Sequence, residues 1–385
     1  MKNWNSVVFS ACAVALLSTH AHADIPATDA SRLEKMQKQI DTLQDSLDGL
    51  RLEGEKEEPI RSFSAKNFHL GGWINESLES IQASGSDRYG VNESEVSLLA
   101  SVDVDAHTRV FLDLQFDRAL ELENSNTAER RYGAYEDSVA IEIAQISHDF
   151  SDRFGIRAGQ LIAPFGIINV EHFDPVLLQH QLPQFLRDQP DEPFGMFDDI
   201  VQGIDTYGNF NIPGGHRFNW EAYAASLQSD TNKLGGGGRQ AWTFPGHVTI
   251  GSSQQAGNRE GHPFLTLGQD VKIGDKKFVL KAESAQTLIT GSNLYTWYVQ
   301  PAYSLTDKWI VFYQADYFSN ALNRTEGVLD PIKQYEHTLG VNFLPIKNIR
   351  MRAEVADHHY VGDTRRYLEK SRDFISLQTS ITVSF

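Results

Sequence analysis

Ile375, Leu377, Thr379, Ile381, Val383 and Phe385 occupy the odd positions of the final segment, and Ser376, Gln378, Ser380, Thr382 and Ser384 the even ones. Successive side chains of a strand point to opposite faces, so this segment is a strand with one apolar face and one small, polar face. A chain end in a soluble sheet usually frays into polar residues. Here the alternation runs up to a terminal aromatic. That combination suits the closing strand of a β-barrel set in an outer membrane, lipid on one side and water on the other.

The same alternation recurs from Phe68 onward. Strands of about ten residues centre on Gly72, Leu98, Leu112, Ile141, Arg157, Asp205, Trp220, Leu267, Leu280, Trp297, Phe312, Leu339, Met351 and Leu377. The fold class predicted is all-β, a transmembrane antiparallel barrel of fourteen strands over residues 60–385. Sixteen also fits, because 229–261 has room for a hairpin. Short turns at 105–107, 150–152, 213–215, 274–276, 305–307 and 345–347 carry Gly, Asp or Pro, as turn chemistry asks. They alternate with longer connections at 119–132, 163–199, 229–261, 319–332 and 361–371, and Gly235 to Gly238 reads as a flexible loop tip. A soluble β-sandwich also alternates, but its apolar faces pack on each other. Trp220, Tyr295, Trp297, Tyr303, Tyr317 and Tyr335 near strand ends look instead like interfacial girdles.

Ahead of the barrel the pattern changes. Lys2, the apolar run Val7 to Leu17 and the small-x-small triplet Ala21-His22-Ala23 form a secretory signal peptide, residues 1–23, with cleavage before Asp24. A lipoprotein signal at Cys12 is a poorer reading, since Phe9-Ser10-Ala11 is a weak lipobox. Leu33, Met36, Ile40, Leu43, Leu47 and Leu50 then follow 3–4 spacings, the a/d seam of a short coiled coil. Gly54 and Pro59 end it, so 24–59 is read as a coiled-coil helix with a charged linker, placed in the periplasm.

Composition narrows the functions. Cys12 is the only cysteine, and cleavage at Ala23 removes it, leaving no disulfide. The net charge of −17 argues against nucleic acid as a partner, which needs phosphate neutralisation by Lys and Arg. The partners expected are outer-membrane lipid, further copies of the chain and small hydrophilic solutes. No cofactor or metal is expected, and without a Gly-x-Ser-x-Gly or a P-loop an enzyme is the poorer reading, left to a hydrolase that assembles Ser and His from separate strands. His358 and His359 are adjacent and point to opposite faces, so they cannot share an ion from a regular strand, and they and His172 read as solvated loop histidines.

If Val110, Leu112, Leu114 and Phe116 face lipid, Arg109, Asp113, Gln115 and Asp117 face the lumen. The same period turns inward Glu142, Arg157, Glu221, Asp270, Lys272, Lys281, Glu283, Asp316, Arg350, Arg352 and Glu354. A mixed-charge wall of this kind either lines a polar channel or satisfies neighbours in salt bridges. The connection 163–199 is long and lacks alternation, which marks it as functional. It holds Glu171, Asp174, Asp188, Asp191, Glu192, Asp198 and Asp199 against one Arg187. Folded inward it would be an acidic constriction, favouring cations or neutral solutes; folded outward it would only cover the mouth.

Ala158-Gly159-Gln160, Pro164-Phe165-Gly166, Gln202-Gly203-Ile204 and Tyr207-Gly208 resemble the signature of the porin O and P superfamily. That superfamily includes phosphate-selective porins and related siderophore porins, many with an N-terminal coiled coil. The resemblance implies a trimeric, non-enzymatic channel of fourteen to sixteen strands. It does not imply phosphate selectivity, because a phosphate constriction is basic and this loop is acidic. A plugged transporter would need a sizeable domain ahead of the barrel, and residues 24–67 are too few for one.

Terminal sequencing of protein recovered from membranes should begin at Asp24. An acylated fragment beginning at Cys12 would replace the signal-peptide reading by the lipoprotein one.

Overall fold

In the computed structural model, the described residues are 67–83, 86–117, 139–171, 173, 175–180, 182–184, 186, 195–259, 261–275, 277–289, 292–322, 332–361 and 373–385. The segments read from the sequence as a signal peptide and a coiled coil lie outside them.

Sixteen antiparallel strands close on themselves: β1 (Phe68–Ala83), β2 (Ser86–Asp103), β3 (Thr108–Asp117), β4 (Val139–Ser151), β5 (Phe154–Ile162), β6 (Ile200–Ile212), β7 (His216–Leu227), β8 (Asp230–Phe244), β9 (Val248–Arg259), β10 (His262–Gly274), β11 (Phe278–Ile289), β12 (Ser292–Thr306), β13 (Trp309–Leu322), β14 (Ile332–Phe343), β15 (Ile349–Val361) and β16 (Asp373–Ser384). Each pairs with its sequence neighbours, and β16 returns to β1. The seam includes the last residue, since Phe385 N–H donates to Gly72 O at 3.0 Å and Gly72 N–H to Phe385 O at 3.1 Å. Closure leaves no edge strand, which a bilayer would not tolerate.

The count of fourteen is corrected to sixteen. All fourteen expected strands form, and the two missed are β8 and β9, the hairpin within 229–261. The central outward positions of that hairpin are Gly236, Gly238, Gln240, Ser252, Gln254 and Ala256, with large apolar residues only towards its ends, such as Leu234, Trp242 and Ile250, so the period of two carried no hydrophobic signal in mid-strand. Gly235 to Gly238 are strand residues, not a loop tip: they pair with Ala225, Ala224, Tyr223 and Ala222. The expected alternation of turn lengths is corrected in part. Connections 118–138, 163–199, 323–331 and 362–372 are long, but 84–85, 228–229, 260–261 and 290–291, at the same end, are two-residue hairpins.

Polarity is inverted relative to a soluble fold. Along β15 exposure alternates strictly from Arg352 to Val361, and the inner positions Gln300, Gln314, Thr296 and Asn342 are all but completely buried. The outward residues are apolar, with Leu339 65%, Leu267 49% and Val355 45% exposed. Outward Trp297, Tyr317 and Tyr335 lie ring to ring, with centroids 6.0 and 4.9 Å apart. The hydrophobic effect thus acts between outer wall and lipid, while hydrogen bonds organise the interior.

Gly159 has a structural reason. Its φ of +132° lies where side chains are rarely found, and an added Cβ would meet Ala144 O at 2.1 Å. Gly159→Ala should therefore cost about 1–3 kcal/mol and lower the midpoint of urea unfolding. Gly90→Ala, whose Cβ meets nothing within 4 Å, should stay within about 0.5 kcal/mol of the parent.

Candidate functional site

The described residues of the connection between β5 and β6, 163–199, lie against the inner wall. The connection leaves β5 through Ala163-Pro164-Phe165-Gly166, a turn made possible by Gly166 at φ +67°. Phe165 stacks on Phe197 at 4.1 Å and seats over Gly268 of β10, where a Cβ would come within 2.7 Å of the ring. The two ends of the connection thus meet as one aromatic pair on a bare patch of wall. Ile168, Leu177, Met196, Ala285, Leu294, Tyr298 and Phe318 complete an apolar cluster with them inside the barrel.

Around that cluster the wall binds the loop's backbone. Ile167 and Ile168 N–H donate to the Glu283 carboxylate at 2.7 and 2.8 Å, which also accepts from Tyr298 Oη–H. His180 N–H donates to Glu354 at 2.5 Å and Gln184 N–H to Asp316 at 2.6 Å. Carbonyls are met by donors: Arg350 and Arg352 reach Leu177 O at 2.6 and 3.1 Å, and Asn342 reaches Leu178 O at 2.8 Å. On the returning limb Thr266 and Thr287 donate to Met196 O, and Gln255 exchanges two bonds with the backbone of Asp198. A buried backbone needs partners for its amides and carbonyls, and strands β9 to β15 supply them.

Glu171 adds an ion-paired tie. Its carboxylate lies between Lys272 Nζ, at 2.7 Å, and Lys281 Nζ. Burial alone would raise its pKa, but the two ammonium groups outweigh that and hold it at about 2. Its charge is thus compensated where it sits. Asp198 accepts from Ser229 N–H at 2.6 Å and Ser229 Oγ–H at 2.9 Å. The other constriction candidates, Asp174, Arg187, Asp188, Asp191 and Glu192, lie outside the described residues, as does His172.

The wall away from these anchors, β2 to β8, carries a second set of pairs. Arg109 bonds Asp103 at 2.5 Å, Ser97 Oγ–H donates to Asp113, and Arg157 sits between Asp205 at 2.6 Å and Glu221 at 2.5 Å with Tyr207 beneath it. Arg239 bonds Asp270 at 2.7 Å. The inward assignments from the period of two place Arg109, Asp113, Arg157, Glu221, Lys281, Glu283, Arg350, Arg352 and Glu354 in these networks. Glu142 falls on the bulge where Asp113 pairs Ile143 and Leu114 pairs Ile141, so alternation does not assign its face. Asp117 closes β3.

His358 is corrected: it is not a solvated loop residue. It lies 3% exposed on the inner face of β15, stacked on Phe374 at 4.2 Å, 2.9 Å from Ser376 Oγ and 3.0 Å from Glu336. His359 points outward, beside Asp373. Among the described residues no group of three His, Cys, Asp or Glu is arranged to hold a metal. Sequence reasoning missed Gln255, Tyr298, Gln300 and Asn342, uncharged anchors whose only signal was an inward position in a strand.

The profile of the family described as phosphate-selective porin O and P matches residues 248–381. No sequence among curated proteins matches the chain. Solved structures share the fold. The anion-selective porin of Comamonas acidovorans has a TM-score of 0.58 at 12% identity, over 83% of this chain and 99% of that one. The outer-membrane channel DcaP of Acinetobacter baumannii gives 0.55 at 11%, over 84% and 99%. The trimer form of OmpT from Vibrio cholerae gives 0.51 at 10%, over 83% and 99%.

Glu171→Gln removes both lysine ties and leaves Lys281 buried without its carboxylate. The cost is on the order of 3 kcal/mol, most of it from Lys281, because Lys272 is the more exposed. The native pKa lies below the unfolded one, so this stabilisation is present above the ordinary carboxylate range and is lost as pH falls towards 2. The stability gap between parent and variant should be constant from pH 8 to pH 5 and close below it, measured by denaturant unfolding at each pH.

Proposed function

Taking the chain as homologous to the outer-membrane porin channels, we propose that it is a passive diffusion pore for small hydrophilic solutes. It sits as a homotrimer in the bacterial outer membrane, narrowed by the 163–199 loop and preferring cations or neutral solutes to phosphate. Both chain termini and the short turns face the periplasm, with the N-terminal seam as a coiled coil there. The trimer form of the Vibrio neighbour supports the assembly.

One observation carries the preference: the basic groups beside the loop already have partners. Lys272 and Lys281 grip Glu171, while Arg350 and Arg352 hold the Leu177 carbonyl. A phosphate would have to displace these contacts, whereas a cation or neutral solute need not. Carboxylates also outnumber basic groups across the wall, and at a constriction the nearest charges dominate because salt screens those beyond about 8–10 Å. The rival is a phosphate or siderophore channel. It draws on the matched family and on Arg109, Arg157 and Arg239, whose side chains are 18–20% exposed and so within reach of solutes along β3 to β8.

Purified protein in a planar bilayer should give stepwise conductance that is ohmic at low voltage. In a potassium chloride gradient its reversal potential should have the sign of cation preference, and millimolar phosphate should leave the conductance unchanged. A chloride-signed potential with phosphate block would establish the rival. A closed bilayer at every voltage would remove the channel reading.

A further inference from the structure

The outer face of β7 to β11 carries polar side chains in the middle of its strands. Two adjacent register rows cross it: Gln240–Ser252–Gln269–Ser284 and Gly238–Gln254–Leu267–Gln286. Towards the short turns the next outward row is Phe218–Trp242–Ile250–Val271–Ala282, and towards the loops Ala224–Gly236–Ala256–Leu265–Leu288. The polar rows therefore lie between apolar ones, at hydrocarbon depth. Gln240, Ser252, Gln269 and Gln286 are exposed. The same rows continue onto β12 to β14 as Trp297, Tyr317 and Tyr335, and as Tyr295, which is ordinary lipid-facing chemistry.

We propose that this sector of β8 to β11 is the surface on which a second copy of the chain packs, and that it faces the axis of the homotrimer. The inference rests on the homotrimer proposed above. A bilayer offers no water to the amides, and an unsatisfied polar group in hydrocarbon costs several kcal/mol. The occupant must therefore supply both donors and acceptors at that depth. A primary amide carries both, so a glutamine-rich patch is complementary to another copy of itself. Gly236, Gly238, Ala224 and Ala256 leave little side chain in the way, the condition for close approach between membrane-spanning elements. Other described polar positions of the outer wall have partners in their own chain: Gln160 of β5, beside Gln202, donates to Glu142 O at 3.0 Å, Thr108 meets His148 next to a short turn, and Ser94 Oγ–H donates to Glu76 of β1 at 2.6 Å.

The mature chain is expected to lack cysteine, so single substitutions report position. Ser252→Cys, Gln269→Cys, Tyr317→Cys and Glu76→Cys proteins in native membranes would be treated with a short bifunctional maleimide. Ser252→Cys and Gln269→Cys should give crosslinked dimers, and Tyr317→Cys none. Dimers from Glu76→Cys or Tyr317→Cys alone, in protein that native mass spectrometry shows to be trimeric, would overturn the inference and leave the trimer standing. A monomeric mass would overturn the trimer itself. The double variant Gln240→Leu, Gln269→Leu gives a second readout of opposite sign for the two placements. Against a protein partner it should lower the detergent concentration at which the trimer dissociates; against lipid it would leave or raise it.

Discussion

The interior of this barrel depends on carboxylates that accept hydrogen bonds from main-chain N–H groups. A long loop folded into a pore brings its own unpaired amides and carbonyls, each costly to bury. Glu283, Glu354 and Asp316 project from three strands to meet those amides, and Arg350, Arg352 and Asn342 meet the carbonyls. A bond to a charged acceptor is roughly twice as strong as a neutral one, so a few side chains can hold an irregular segment in place. Fixing the loop decides what space remains open. The charges that look like a selectivity filter in the sequence are, on this side of the lumen, largely the loop's fastening. The stretch of wall that these anchors leave free is β2 to β8, where arginines and carboxylates meet around Arg157.

Two solvents shape the wall at once. Lipid rewards apolar residues outside, and the loop and water reward polar residues inside, so each strand needs only a period of two. The interior also has a dry part. Phe165, Phe197, Tyr298 and Phe318 gather with Ile168, Leu177 and Met196 into an apolar cluster within a polar lumen. There the loop is packed as well as tied, which gives it the close contacts of a core rather than those of a tether.

Much of the architecture could be read from the sequence, and the reasons differ by element. Fourteen strands showed themselves because large apolar residues alternate with polar ones, and the face of Arg109, Glu283 or Glu354 follows from parity alone. β8 and β9 were hidden because Gly236, Gly238, Gln240, Ser252 and Gln254 stand where aliphatic residues would have marked a lipid face. The bulge at Glu142 broke parity by one residue and was equally invisible. Position in the 163–199 loop marked Glu171 as a site residue, but its partners Lys272 and Lys281 stand about a hundred residues away. No local pattern encodes such a pairing; it follows from where closure of the sheet brings β10 and β11. Likewise the period of two told that His358 and His359 point apart, but not that one would be sealed between Phe374 and Glu336.

The seam between β1 and β16 has a consequence for how the molecule is made. Trp73 pairs with Ser384 and Ala83 with Phe374, so the sheet can be completed only by joining residues some three hundred positions apart. Contacts of that separation are slow to find, because the loop entropy is lost before the contact repays it. Until they form, β1 and β16 are both open edges, and open edges pair with whatever strand is nearest. The unclosed chain is therefore prone to aggregate in water and unsuited to lipid. Its passage to the membrane has to be completed with the two ends kept apart from other chains until the last strand reaches the first.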